Sequence, residues 1–265
     1  MLASETDARY AGFMLNCVVH GTPTDAPPLV IAHGLFGSAR NWGVIAKRLS
    51  DERQVIAVDM RNHGESPWSE SHQYKDMAQD LAEVIVHHGG VADLLGHSMG
   101  GKAAMVLALT QPELVRRLVV ADIAPVAYTH SQSHLIDAMR GVDLDHVDRR
   151  SDAEAQLRAT VEDNTTRAFL LQSLDVKSKT WRLNLDVLDR DMMDITGCPG
   201  ATGVFDNPTL FLTGANSDYV SATGKAHARA LFPKLRTAKL AEAGHWLHAE
   251  KPREFEATVR IFLNS

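Results

Sequence analysis

Five short apolar runs constrain this chain more than anything else in it. They are Leu29 to Ala32, Val55 to Val58, Val91 to Leu95 (with one acid, Asp93), Leu118 to Ala121 and Thr209 to Leu212, and Leu235 to Leu240 is a further candidate. Each is strand-sized, and helical patterns stand between them. Trp42, Ile45, Ala46 and Leu49 share one face of a helix over Asn41 to Leu49. Tyr74, Met77, Leu81, Val84 and Ile85 recur at helical spacing until Gly89 and Gly90 stop the pattern. Met99 to about Leu109, bounded by Pro112, then Ala222 to Leu231 and Pro252 to Phe262, read as helices too. Strands alternating with helices of this length predict a mostly parallel sheet covered on both faces. The segment from about Tyr10 to His20 adds an early antiparallel hairpin strand.

The middle of the chain reads differently. From about Ala124 to Asn207 no run is convincing as a strand. Ser151 and Glu154 have capping-box spacing, Phe169 to Leu174 and Trp181 to Leu188 carry helical or ambiguous periods, and CPGATG at 198–203 is a loop. The expected organisation is a core of residues 1–123 and 208–265, with residues 124–207 inserted as a helical lid. Such a lid covers the carboxyl ends of the strands, where open α/β sheets place their sites. Leu135, Met139, Phe169, Leu170 and Trp181 are its candidates for packing on the core or lining an apolar pocket.

Residues 94–101, LLGHSMGG, hold the sharpest chemical clue. A serine hydroxyl is a weak nucleophile at neutral pH and needs an adjacent base, itself oriented by a third group. Gly-x-Ser-x-Gly between an apolar strand and a helix is the turn that exposes such a serine, here Ser98. The base belongs after the last strand, where AEAGHWLHA places His245 behind a glycine. His248, three residues on, is expected to pack locally, and His97 points with the turn backbone. A zinc reading of the pairs His245/His248 or His33/His63 lacks a carboxylate or cysteine at matching spacing.

The acid has two candidates at the correct end of the sheet: Asp122 in LVVADIAP and Asp218 in FLTGANSDYV. Asp206 precedes its strand and lies at the wrong end. Asp59 is better placed to fix the DMRNHG loop. An oxyanion hole needs two backbone donors. Met99, following the serine, supplies one, and the HGLFG loop supplies the other from Leu35, with Phe36 as second choice.

Composition excludes several other classes. A net charge of −6 without a basic run argues against nucleic acid. No stretch of 18 apolar residues is present, so stable membrane insertion is not expected. The N-terminus lacks a basic segment followed by an apolar one, so the expected location is cytoplasmic. Cys17 and Cys198 are expected to be buried small hydrophobes. No cofactor or metal is called for.

HGLFGS (33–38), DMRNHGES (59–66), GHSMGG (96–101) and GHWLHAEKP (244–252) resemble the α/β-hydrolase superfamily across nearly the whole chain. DMRNHG, ADIAPVAY and GANSDYV are similar, more narrowly, to the bacterial YbfF-type esterases and the abhydrolase-domain-containing 11 proteins. The resemblance implies an α/β-hydrolase fold, a mostly parallel central sheet flanked by helices, with a helical lid after the sixth strand. Many members carry the acid as Gly-x-x-Asp after the following strand. Here Gly214 leads to Ser217, and Asp218 is one place late. The YbfF-like group carries it in DIxP, which Asp122 matches. The implied activity is hydrolysis of carboxylic esters or thioesters. The alternative is a C–C bond hydrolase or lyase of the same fold acting on a small carbonyl compound, which would need polar groups from the lid such as Arg140, Arg158, Arg167 or Arg182. A non-catalytic binding protein is the third reading, and a complete serine–histidine–acid set argues against it.

Overall fold

The computed structural model describes residues 14–200 and 202–265. Its sheet is built from β1 (Cys17–His20), β2 (Leu29–Ala32), β3 (Val55–Val58), β4 (Ala92–His97), β5 (Val115–Ala121), β8 (Thr209–Gly214) and β9 (Leu235–Leu240). The order across the sheet is β1-β3-β2-β4-β5-β8-β9. Among the described strands of this sheet only β1 runs antiparallel, pairing Cys17 with Val58 and His20 with Val55. The expected early strand is therefore present as Cys17–His20, whereas its start near Tyr10 lies outside the described residues. Five described strands precede the insert rather than six, and residues 1–13 fall outside the description.

Side-chain alternation sorts each strand between two cores. Leu29 and Ile31 face one side with Leu95, Val119, Ala121, Leu210 and Leu212. There they meet Trp42, the helix α1 (Gly43–Leu49) that follows it and the last helix (Pro252–Leu263), through Trp42, Ile45, Phe255 and Phe262. Val30 and Ala32 face the other side with Val58, Leu118, Val120 and Phe211. That side is covered by α2 (Tyr74–His87), α3 (Met99–Thr110) and α9 (Ala222–Leu231). Burial on both faces is why these strands read as continuous apolar runs.

Between β5 and β8 stand α4 (Ser133–Arg140), α5 (Arg150–Leu157), α6 (Asn164–Leu170), α7 (Leu185–Arg190) and α8 (Met192–Thr196). The region also contains a hairpin that periodicity does not reveal, β6 (Leu174–Asp175) paired with β7 (Thr180–Trp181). Local chemistry makes it: Asp175 Oδ1 accepts from the N–H groups of Lys177 and Ser178, and Lys179 takes a φ of 54°. The start of α5 also differs from expectation. Asp152 receives the Asp148 and Arg149 amides, so Ser151 lies inside the helix and Glu154 pairs with Arg158 and Arg167 instead. Neither cysteine is fully buried: Cys17 is half-buried and Cys198 exposed.

The insert is fastened to the core by main-chain and buried polar bonds. Gly64 N–H donates to Arg182 C=O at 2.8 Å, and Asn184 N–H to Asn62 C=O at 3.0 Å. Tyr74 Oη donates to Ile195 C=O at 2.6 Å. Lys102, buried in α3, donates to the carbonyls of Thr196 and Gly197 at 3.1 and 2.5 Å, where α8 ends. Those carbonyls lack partners within their own helix, and a cation suits that end of its dipole. The Tyr128 ring covers the same ammonium at 4.8 Å.

Five buried histidines, His33, His63, His72, His97 and His248, are pushed below their ordinary pKa by burial. His248 is lowered to about 3. Its ring stacks on Trp42 (centroids 4.1 Å apart, 9° between planes), and its buried Nδ1 has no hydrogen-bond partner among the described residues. The unfolded chain protonates such a group near its ordinary value, so below that pH the unfolded state binds more protons. Stability is complete above the ordinary value and is lost as pH falls towards the folded-state value. His248→Phe keeps a ring on Trp42 and removes one titrating group. Urea unfolding at pH values between 6 and 4 should give the variant a shallower fall in stability, by about 1.4 kcal/mol per pH unit. Parallel slopes for variant and wild type would show that His248 is not held neutral.

Candidate active site

β4 ends at His97 and α3 starts at Met99, so Ser98 alone turns the chain from strand to helix. Its φ of 51° and ψ of −119° are rare for a residue with a side chain. The turn is tight enough to exclude larger neighbours. A Cβ on Gly100 would stand 2.5 Å from the carbonyl oxygens of Ala32 and His33, and one on Gly96 would stand 2.3 Å from Gly100 O. Sterics alone thus account for the Gly-x-Ser-x-Gly spacing. The Met99 N–H opens α3 and has no partner within its own helix.

The loop after β2 turns through a 3.0 Å bond from Gly37 N–H to Gly34 C=O. Phe36 takes a φ of 64°, and its N–H is occupied by His63 Nε2 at 3.2 Å. Of the two amides offered by the sequence, Phe36 is therefore consumed. Leu35 N–H makes no hydrogen bond among the described residues, and Leu35 lines the same cavity as Ser98 and Met99.

His245 lies in the loop after β9, and its Nδ1 is 2.8 Å from Asp122 Oδ2. Asp122, at the end of β5, is wholly buried and also takes a positive φ, 51°. Its Oδ1 accepts Gly214 N–H at 3.0 Å, and its Oδ2 accepts the Ser217 hydroxyl. A carboxylate on Nδ1 fixes the ring's tautomer and leaves Nε2 able to take a proton. The loop is steadied from below by His97 Nε2, 2.9 Å from His245 C=O, and by Glu250, which accepts Gly244 N–H at 2.7 Å. Ser98 Oγ makes no hydrogen bond to the ring here; such contacts are often long until a substrate carbonyl arrives.

Several candidates are placed elsewhere. Asp218 is exposed, one residue beyond the serine that bonds Asp122. Asp59 accepts from Asn16 Nδ2 and from the amides of Ala39 and Glu65, and so fixes the two neighbouring loops. Asp206 pairs with Lys234 at 3.6 Å. No group of three or more histidine, cysteine or acidic side chains able to hold a metal occurs among the described residues.

A cavity lies over Ser98. Its walls include Trp42, Leu135, Tyr128, Phe169 and Trp246. Met139, Leu170 and Trp181 are buried in the core instead, with Trp181 Nε1 donating to Met139 C=O at 3.0 Å. Three features went unassigned in the sequence. Ser217 stands where Gly-x-x-Asp would put the acid, and that spacing is the signal that points to it. Tyr219 stacks on His245 with centroids 3.8 Å apart and 15° between planes. Lys102, whose ammonium burial pushes down to about 8, gives no local sign of its partners nearly a hundred residues away.

Known proteins place this geometry in context. A family model described as alpha/beta hydrolase fold matches residues 27–252. The sn-1-specific diacylglycerol lipase ABHD11 of Danio rerio is 41% identical over 250 residues, covering 90% of this chain and 79% of that protein. Esterase YbfF of Escherichia coli (strain K12) is 39% identical over 240 residues, covering 89% and 93%. A solved structure titled "Marine microorganism esterase" superposes with a TM-score of 0.89 at 34% identity, over 95% of this chain and 100% of that one. With its parallel sheet, its strained serine turn and these relatives, the chain belongs to the alpha/beta hydrolase fold family, among members named esterases and lipases.

Proposed function

We propose that the protein is a serine hydrolase that cleaves carboxylic esters or thioesters through an acyl-enzyme. The observation that carries this reading is the 2.8 Å contact of His245 Nδ1 with buried Asp122, in a loop that lines the same cavity as Ser98. Ser98 Oγ attacks the acyl carbonyl while His245 Nε2 takes its proton. Leu35 and Met99 N–H groups receive the negative charge that develops on the carbonyl oxygen. Collapse of the tetrahedral intermediate expels the alcohol or thiol, protonated by His245. Water, deprotonated by the same ring, then releases the acid and restores Ser98. Asp122 holds the imidazole and stabilises its charged form.

The substrate reading follows from the walls. Trp42, Leu135 and Phe169 suit an apolar acyl chain, and residues 124–207 act as the lid that keeps water from it. The names of the relatives, a diacylglycerol lipase and an esterase, support the same bond type. A C–C bond hydrolase working on a charged carbonyl compound is disfavoured by the arginines it would need. Arg140 pairs with Asp186 and Asp189, Arg158 and Arg167 with Glu154, and Arg182 with Asp175. None of the four lines the cavity.

A fluorophosphonate should label wild-type protein at Ser98 and leave Ser98→Ala unlabelled, and Ser98→Ala should lose ester turnover by several orders of magnitude. Retained turnover in that variant sinks the mechanism. Parallel ester and thioester series of increasing acyl length then rank the leaving groups and the chain the cavity prefers.

The two acids separate in a second test. Asp122→Asn should lower kcat by roughly 10³- to 10⁴-fold, the scale of such an acid in serine proteases. Asp218→Asn should stay within about threefold of wild type, as an exposed substitution does. Circular dichroism of both variants checks that the loss is not unfolding. A folded, active Asp122→Asn beside a crippled Asp218→Asn reverses the assignment.

A further inference from the structure

The oxyanion loop and the DMRNHGES loop are cross-tied by two imidazoles. His33, in the first loop, accepts Met60 N–H on Nε2 at 2.9 Å, and its Nδ1 donates to Gly34 C=O at 2.8 Å. His63, in the second, accepts Phe36 N–H on Nε2 at 3.2 Å, and its Nδ1 donates to Arg61 C=O at 2.9 Å. A carbonyl only accepts, so Nδ1 carries the hydrogen in both rings and Nε2 is the free acceptor. The two rings meet edge to face with centroids 5.1 Å apart.

Phe36 sits at a φ of 64°, a strained state for an aromatic residue that persists only when its surroundings hold it. Its peptide groups are held on both sides. His63 takes the N–H, and the Ser173 hydroxyl of the insert donates to the C=O at 2.9 Å. That grip withdraws Phe36 N–H from the cavity, while Leu35 N–H makes no hydrogen bond among the described residues. His63 is also where the insert meets this loop, through a backbone bridge to Leu183 and the neighbouring Gly64 N–H bond to Arg182.

We propose that His63 is a positioning residue of the oxyanion hole: by gripping Phe36 N–H it fixes the strained turn that presents Leu35 N–H to the substrate carbonyl. The proposal rests on the ester-cleaving reading of the site. The imidazole acts through the backbone and exchanges no proton with the substrate.

Two variants isolate the contact. In His63→Asn the side-chain amide replaces Nδ1 but is too short to reach Phe36. In His63→Gln the amide oxygen reaches the Nε2 position and can accept the Phe36 N–H. Folded His63→Asn should lose about 10- to 100-fold in kcat with KM within about threefold, because the misplaced donor acts on the transition state. Its affinity for a boronic acid that forms a tetrahedral adduct on Ser98 should fall by a similar factor. His63→Gln should recover to within about fivefold of wild type in both.

Wild-type kcat in folded His63→Asn overturns the proposal, as does an equal loss in both variants or a change confined to KM. If His63→Asn fails to fold, imidazole nitrogen NMR of the wild type decides. An unprotonated Nε2 on His63 at neutral pH is expected, and a protonated one overturns the proposal. A wild type that turns over no ester and takes no fluorophosphonate fails the ester reading instead, and leaves the tautomer result standing.

Discussion

A wholly buried carboxylate is tolerable only when donors surround it, and Asp122 gathers its donors from three separate places. Gly214 N–H comes from the end of β8, the Ser217 hydroxyl from the loop that follows, and His245 Nδ1 from the loop after β9. Asp122 therefore ties the end of β8 and the loop after it to His245. It also explains why a positive φ is retained at Asp122, since the strain is opposed by bonds on both oxygens. Removing any one donor leaves charge desolvated and underbonded, a penalty of about 1–3 kcal/mol or more.

The same economy governs the other half of the site. Ser98, Phe36 and Asp122 are all non-glycine residues at positive φ, and each lies just beyond a strand's carboxyl end. Crowding fixes the first, two hydrogen bonds hold the second, and the buried acid's own donors hold the third. Neutral imidazoles do much of the bonding, which burial permits because it penalises their charged form. The scaffold supplies rigid strands, and the strain is concentrated beyond their ends, at Ser98, Phe36 and Asp122.

Much of this was legible in the sequence, for physical reasons. Strands buried on both faces must be apolar throughout, so Leu29–Ala32 and Val55–Val58 announced themselves. Gly96 and Gly100 were legible because the turn admits no side chain there. His245 stood out by its place after the last strand. Residue pattern alone left Asp122 and Asp218 level, since both loops end at the same side of the sheet; the family likeness tipped the reading, and the structure puts Asp122 against the ring. Other features depend on contacts that no local pattern encodes. The β6–β7 hairpin hangs on one aspartate side chain, and the preference for Leu35 over Phe36 hangs on a histidine 27 residues away. The arginines of the insert looked available until each was seen beside its carboxylate.

Lys102 has a consequence for how the chain is made. Its ammonium is buried in the helix that follows the turn at Ser98, but its carbonyl acceptors lie as far as 95 residues later, at the end of α8. Asp122 waits longer still, for Gly214, Ser217 and His245. A chain emerging from the ribosome holds β1 to β5 long before either charge can be satisfied. Desolvating an unpartnered ammonium or carboxylate is costly enough to keep that region open. Lys102 therefore finds these carbonyl partners only once residues 196–197 are in place. The insert, by this logic, is what lets the helix that carries Lys102 bury its charge.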